Sequence, residues 1–319
     1  MKKIQRIVLT CPGIFTEELL GYLDSNYEFI QVGCSISEEE SIEFLKNADM
    51  LIMGGNEIIT PRVLENIPPG MRFVFAGIQV STAFQGTWEE IRGRVFTTGG
   101  GQEAVVQTTL QLLTFLNPVR AQSLMAKNKQ IPITRDAILK NQTLLIVGAG
   151  AIGKRVMEFA KKIFGEVLYT GGRGEKPDLR EAGFIYSSDF AEAFSVADAA
   201  SIHLELNPTT EKSITNEHLA KMPANGFLLN NARARIIAPD DLERVLLNRP
   251  DMQIIFDEFY VNGEEFRNTM NESTPNIYQI ILGFRNFWYT GHTANQGELT
   301  KQEYSEGVLR ILSQLGYAV

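Results

Sequence analysis

With 319 residues the chain is longer than one hydrophobic core usually supports, and its length predicts two domains of roughly 100–200 residues each. Against 30 Lys and Arg stand 38 Asp and Glu, a net charge of −8 with no long basic block, which excludes a nucleic-acid binder held by phosphate contacts. No stretch approaches the ~20 apolar residues of a membrane span, and the two cysteines have neither CxxC spacing nor a neighbouring histidine, so neither a membrane nor a metal is expected.

The N-terminal stretch MKKIQRIVLTCPG opens with two lysines, but Gln5 and Arg6 interrupt its apolar run and Pro12-Gly13 end it early, unlike a secretory leader. Cys11 and Cys34 read as reduced thiols of a reducing compartment, and a cytoplasmic location is expected. The strand-length runs IQRIVLT, YEFIQVG, MLIMGG and MRFVFAG alternate with the amphipathic stretches TEELLGYLDS, EEESIEFLKNA and TPRVLENI. Such a rhythm predicts a parallel sheet with helices on both faces. From Glu103 to Met125 a long apolar segment carries Pro118 near its middle; it predicts a kinked or paired helix, and the first domain boundary falls there. Beyond a polar linker around Asn128 to Asn141 the rhythm resumes through TLLIVGAG, AIGKRVMEFAKKIF, EVLYTG, DFAEAFSVAD, SIHLEL, GFLLNNA, PDDLERVLLN and MQIIFDEF. The final helix, KQEYSEGVLRILSQL, is expected to return to the first domain.

Gly148-Ala-Gly150-Ala151-Ile152-Gly153 follows the strand TLLIV and opens a helix. In that context the first glycine allows a tight turn, the second lets the backbone approach a pyrophosphate, and the third lets the helix pack close, with the anion at the helix N-terminus. Dinucleotide-binding enzymes that prefer NAD end the next strand in a carboxylate for the ribose 2′-hydroxyl. Here EVLYTGGRGEK has none before Glu175, while Gly172 clears space and Arg173 and Lys176 offer cations. A 2′-phosphate would suit those cations, so NADP is expected, with NAD possible.

The later blocks resemble those of the D-isomer-specific 2-hydroxyacid dehydrogenase family. ADAASIHLELNPTTEKSI, LLNNARARIIAPDDLERVL, IIFDEF and YTGHTANQGE follow the family's order and spacing, and the similarity runs from about Val105 to Glu298. The resemblance implies an α/β fold of two Rossmann-like doubly wound parallel-sheet domains with the active site in the cleft between them. A substrate domain, 1–104 completed by 293–319, would flank a dinucleotide-binding domain, 105–292. It places the substrate-binding arginine on Arg233 and the acid–base histidine on His292, puts His203, Ala232 and Asp257 on the cofactor side, and implies a homodimer. Gly54, Gly55, Gly77 and Ile78 match loops whose backbone N–H groups meet the substrate carboxylate. The chemistry of the residues agrees: a guanidinium can grip a carboxylate and its neighbouring carbonyl together, and hydride delivery leaves an alkoxide that needs a proton from a group titrating near neutrality. His218 reads as a solvated helix residue.

Departures from the family are local. The glutamate that pairs with the histidine falls on Asn262, unless a two-residue slip brings Glu264 into its place; the proline before the histidine is Gly291; and Gln107 replaces a glutamate. The expected activity is reduction of a small 2-oxo acid, of glyoxylate, hydroxypyruvate or pyruvate type, to the D-2-hydroxy acid. The alternative is a cofactor-binding regulatory module of the same fold with little or no turnover.

Overall fold

Runs of consecutive apolar residues become strands of parallel sheets, where both faces are covered. The computed structural model describes residues 5–34, 36–54, 59–77, 83–84, 88–116, 139–172, 174–261, 263–273 and 276–317. Two units compose it: Met1–Ala104 with Asn295–Val319, and Val105–Ala294.

In the first unit β1 (Arg6–Thr10), β2 (Glu28–Val32), β3 (Met50–Met53), β4 (Arg72–Phe75) and β5 (Val95–Thr97) form a parallel sheet in the order β2-β1-β3-β4-β5. Successive residues of β1 point to opposite faces. Ile7 and Leu9 pack with Leu19 and Leu23 of the helix Glu17–Asn26 and with Val308, Ile311 and Leu312 of the C-terminal helix Glu298–Gln314. Val8 packs on the other side with Leu45, Val63 and Phe73. Local signals start the helices. Thr16 caps Glu17–Asn26 through the Leu19 N–H, and Ser37 with Glu40 closes a capping box on Glu38–Leu45.

Cys11 and Cys34, expected as separate reduced thiols, are joined as a disulfide. Parallel pairing sets Thr10 opposite Val32, so the residues leaving β1 and β2 emerge side by side, with the cysteine Cα atoms 4.4 Å apart. Their separation of 23 positions is the length of one strand–helix–strand crossover.

The second unit holds β6 (Thr143–Val147), β7 (Glu166–Thr170), β8 (Ile185–Tyr186), β9 (Ala199–Ile202), β10 (Phe227–Asn230), β11 (Gln253–Phe256) and β12 (Phe287–Tyr289), ordered β12-β11-β10-β9-β6-β7-β8, all parallel. Leu145, Val147, Leu228 and Ile254 line one face and Leu144, Ile146, Leu229 and Ile255 the other. Both units are therefore doubly wound α/β layers, and in each the strand order reverses at the first strand, between β1 and β3 and between β6 and β9. The helix Gln102–Gln111 runs into a π-helical turn, Leu112–Leu116; the kink expected at Pro118 lies outside the described residues. Among the described residues no helix is long and apolar enough to cross a membrane, and no cluster of His, Cys, Asp and Glu could hold a metal.

Candidate active site

The glycine turn sits where β6 meets the order reversal. Gly148 has φ 101°, and a Cβ there would come within 2.9 Å of the His203 carbonyl; a Cβ on Gly153 would come within 2.2 Å of the Gly148 oxygen. Both positions exclude a side chain, one for conformation and contact, the other for close helix–strand packing. Gly150 differs: an added Cβ would meet nothing within 4 Å. It is the N-cap of the helix Ala151–Ala160, with no side chain capping the helix, so the backbone is open to an anion where the helix dipole favours one. Ala151 and Ile152 form the first turn beside it. These features fit a dinucleotide pyrophosphate.

Around the turn, His203 N–H donates to the Val147 carbonyl at 2.8 Å, which places His203 at the reversal beside Gly148. Its Nε2 lies 2.8 Å from Ser201 Oγ, and burial pulls its pKa down to about 4, so the ring is neutral at physiological pH. At the end of β7, Gly171, Gly172 and Gly174 all have positive φ. Gly172 faces open space. Lys176 folds back so that its Nζ donates to the Ala149 carbonyl, which holds a cation against the glycine turn. Arg173 lies outside the described residues.

Arg233 and His292 come from segments 59 positions apart and meet at one carboxylate, Glu258: Arg233 Nε lies 3.1 Å from Glu258 Oε2, and His292 Nε2 lies 4.0 Å from the same oxygen. Each segment is fixed locally. Asn230, buried at the end of β10, accepts from the Ala232 N–H at 3.0 Å and donates to the Arg233 carbonyl at 3.0 Å, stapling the turn that presents the guanidinium. Asp257, buried at the end of β11, does the same for the histidine loop. Its Oδ1 accepts from Thr290 Oγ1 at 2.5 Å, Thr293 N at 3.0 Å and Ala294 N at 3.2 Å, and its carbonyl accepts from His292 N at 2.6 Å.

The loop takes a left-handed course, with φ 84° at Gly291 and 59° at His292. A proline, locked near −65°, could not stand at Gly291, which accounts for one departure from the family pattern. Burial lowers the His292 pKa below the ordinary histidine value; Asp257 opposes the shift and Arg233 adds to it. Glu258 is pushed up by burial and held down in part by Arg233.

Glu258 is the residue that the sequence reading missed. Asn262 lies outside the described residues, as does the side chain of Glu264. The available signal was the acidic pair Asp257-Glu258 at a strand end: with Asp257 turned to the loop backbone, its neighbour faces the arginine. In the first unit, Gly54 N–H donates to Thr10 Oγ1 at 3.0 Å and Gly77 N–H to Thr98 Oγ1 at 3.2 Å, so a ligand carboxylate at either would share the donor. Gly55 and Ile78 lie outside the described residues. His218, expected as a solvated helix residue, instead closes a helix start: its Nδ1 accepts from Thr215 N at 3.1 Å, and its ring packs 5.8 Å from that of Phe190.

Residues 107–294 match the family model described as D-isomer specific 2-hydroxyacid dehydrogenase, NAD binding domain. An uncharacterized protein of Corynebacterium melassecola is 26% identical over 278 residues, covering 85% of this chain and 86% of its own. A putative 2-hydroxyacid dehydrogenase of Staphylococcus epidermidis is 27% identical over 157 residues, 49% of this chain and 45% of that protein, so the chain spans under half of that relative. In fold, the chain is similar to the D-lactate dehydrogenase of Aquifex aeolicus solved with NAD and lactic acid, with a TM-score of 0.73 and 19% identity over 97% of this chain and 95% of that one.

Proposed function

The chain belongs to the family of D-isomer specific 2-hydroxyacid dehydrogenases, and from that premise we propose that it reduces a small 2-oxo acid, of glyoxylate, hydroxypyruvate or pyruvate type, to the D-2-hydroxy acid, with NADPH preferred over NADH. The observation that carries the reading is the meeting of Arg233 and His292 at Glu258 in the same unit as the glycine turn. A reduced nicotinamide cofactor, held through its pyrophosphate at that turn, would supply the hydride. Arg233 binds the substrate's carboxylate and carbonyl oxygens through its planar donors, with Glu258 fixing the plane from the Nε edge. His292, protonated, gives its Nε2 proton to the alkoxide oxygen.

The preference for NADPH is supported by the absence of a carboxylate between Thr170 and Glu175 and by the position of Lys176 against Ala149. The partner of His292 is proposed to be Asn262 or Glu264, while Glu258 pairs with Arg233 at 3.1 Å. A homodimer and a cytoplasmic location belong to the same proposal.

A second reading, a cofactor-binding module without turnover, is favoured by one observation: Arg233 is already paired with an internal carboxylate, which reduces the charge it offers a substrate. Following the oxidation of NADPH and of NADH with a panel of 2-oxo acids separates the two. Turnover on at least one acid, faster per unit KM with NADPH, is expected. Tight cofactor binding with no turnover on any acid selects the module, and a preference for NADH removes the cofactor assignment.

A further inference from the structure

The helix Gln102–Gln111 and the π-helical turn after it carry a stripe of buried side chains onto the second sheet: Val106 and Leu113 pack in one cluster with Leu229 of β10 and Ile255 of β11. Thr109 lies between them on the same stripe and is 0% exposed. The helical period calls for an apolar residue there, and a hydroxyl in such a place is costly unless it is bonded. Both capacities of the hydroxyl are used. Thr109 Oγ1 donates one turn back to the Val105 carbonyl at 2.7 Å, and it accepts from Asn231 Nδ2 at 2.8 Å.

Asn231 stands inside the turn that presents Arg233. The two bonds made by Asn230, to the Ala232 N–H and the Arg233 carbonyl, lie within that turn, whereas the bond from Asn231 ties it to the helix. Asn231 Oδ1 is buried and has no hydrogen-bond partner among the described residues, so the amide is oriented through Nδ2 on Thr109. The neighbouring hydroxyl, Thr108 Oγ1, donates to the Ala294 carbonyl at 3.4 Å, in the loop that carries His292. Two adjacent threonines thus back the two segments of the candidate site, and all of these residues belong to the unit Val105–Ala294.

We propose that Thr109 and Asn231 are positioning residues for Arg233: their hydrogen bond fixes the arginine turn against the helix and so sets the plane in which the guanidinium meets a 2-oxo acid. The inference rests on the reading of Arg233 as the residue that binds the substrate. Glu258 holds the side chain at Nε, and Thr109 holds the backbone from which that side chain springs. A guanidinium that grips a carboxylate and a carbonyl by two parallel bonds loses both when its plane rotates. The Thr109 hydroxyl therefore acts on substrate affinity. A cofactor held at the glycine turn, on another segment, does not sense it.

The test uses the full-length protein and the variants Thr109→Val, which keeps the shape and loses the hydroxyl, Thr109→Ser, which keeps the hydroxyl, Asn231→Ala, and Thr109→Val combined with Asn231→Ala. KM and kcat are measured for the best substrate of the 2-oxo acid panel, NADPH dissociation constants by titration, and amide hydrogen exchange at Ala232 in the protein without cofactor. Thr109→Val should raise KM about tenfold, with a smaller fall in kcat and NADPH affinity within about twofold of wild type. Thr109→Ser should recover most of the loss. Asn231→Ala should match Thr109→Val, and the double variant should be no worse than either, because both changes remove the same bond. Exchange at Ala232 should be faster in Thr109→Val than in wild type or Thr109→Ser. A wild-type KM in Thr109→Val, an equal loss in Thr109→Ser, or effects that multiply in the double variant would overturn the proposal. Should Thr109→Val not fold, Asn231→Ala at a half-buried position gives the same reading, and an unchanged KM there overturns it. If wild type turns over no 2-oxo acid, the substrate reading fails, and exchange at Ala232 decides the positioning role by itself: equal rates in wild type and Thr109→Val end it.

Discussion

Burial and the Arg233 charge together hold the His292 imidazole below its ordinary range, against the pull of Asp257. Reduction needs the protonated ring, so kcat/KM for reduction should decline as pH rises through a value below the ~6.5 of an unperturbed histidine. Glu258 acts on the other partner. Its carboxylate orients Arg233, and Glu258→Gln keeps the shape while removing the charge-assisted bond. In one set of pH profiles, the variant should lose about 10- to 100-fold in kcat/KM, carried mainly by KM, the size of a hydrogen bond to a charged group at about 1.5–3 kcal/mol. A lower KM in the variant would mean that Glu258 competes with the substrate for Arg233 and would contradict the positioning role. Arg233 and His292 were legible because their neighbours stand in a recognisable order. Glu258 was not, because which of two adjacent acids faces the arginine depends on the left-handed loop at Gly291 and His292, and that course of the backbone has no sequence signature beyond a glycine where a proline is usual.

Among the elements, the glycine turn carries the clearest division of labour. Gly153→Ala puts a Cβ 2.2 Å from a backbone oxygen and must push the helix Ala151–Ala160 off β6, whereas Gly150→Ala, at φ −77°, projects into open space. Thermal unfolding and cofactor titration on both variants should separate the two roles. Gly153→Ala should lose about 1–3 kcal/mol of stability by overpacking, along with cofactor affinity. Gly150→Ala should unfold closer to wild type yet bind NADPH more weakly, because its methyl group occupies the space a pyrophosphate needs. Equal behaviour of the two would refute the assignment. The interior strands β1, β3, β4, β6, β7, β9, β10 and β11 were all readable as apolar runs, since a strand covered on both faces needs no alternation. β5, β8 and β12 were not. Each ends a sheet and has only two or three residues, too short for any period to show.

At the scale of the whole molecule, length and rhythm made two α/β layers legible, and the disulfide shows what a linear reading hides: a separation of 23 residues looks distant until parallel pairing brings both strand ends to one edge. The same topology gathers Asn230, Arg233, Asp257, Glu258 and His292 at the ends of β10, β11 and β12, where loops can present side chains from a rigid sheet. We propose that this cluster transfers a proton while the glycine turn independently holds the cofactor. It is tested most directly by comparing wild type with His292→Ala in steady-state reduction of the best 2-oxo acid and in NADPH binding. The expected result is a fall in kcat of about 10²- to 10⁴-fold, the usual range for a lost acid–base group, with the NADPH dissociation constant unchanged. Turnover near that of wild type, or a loss of activity that merely follows a loss of NADPH affinity, would contradict it.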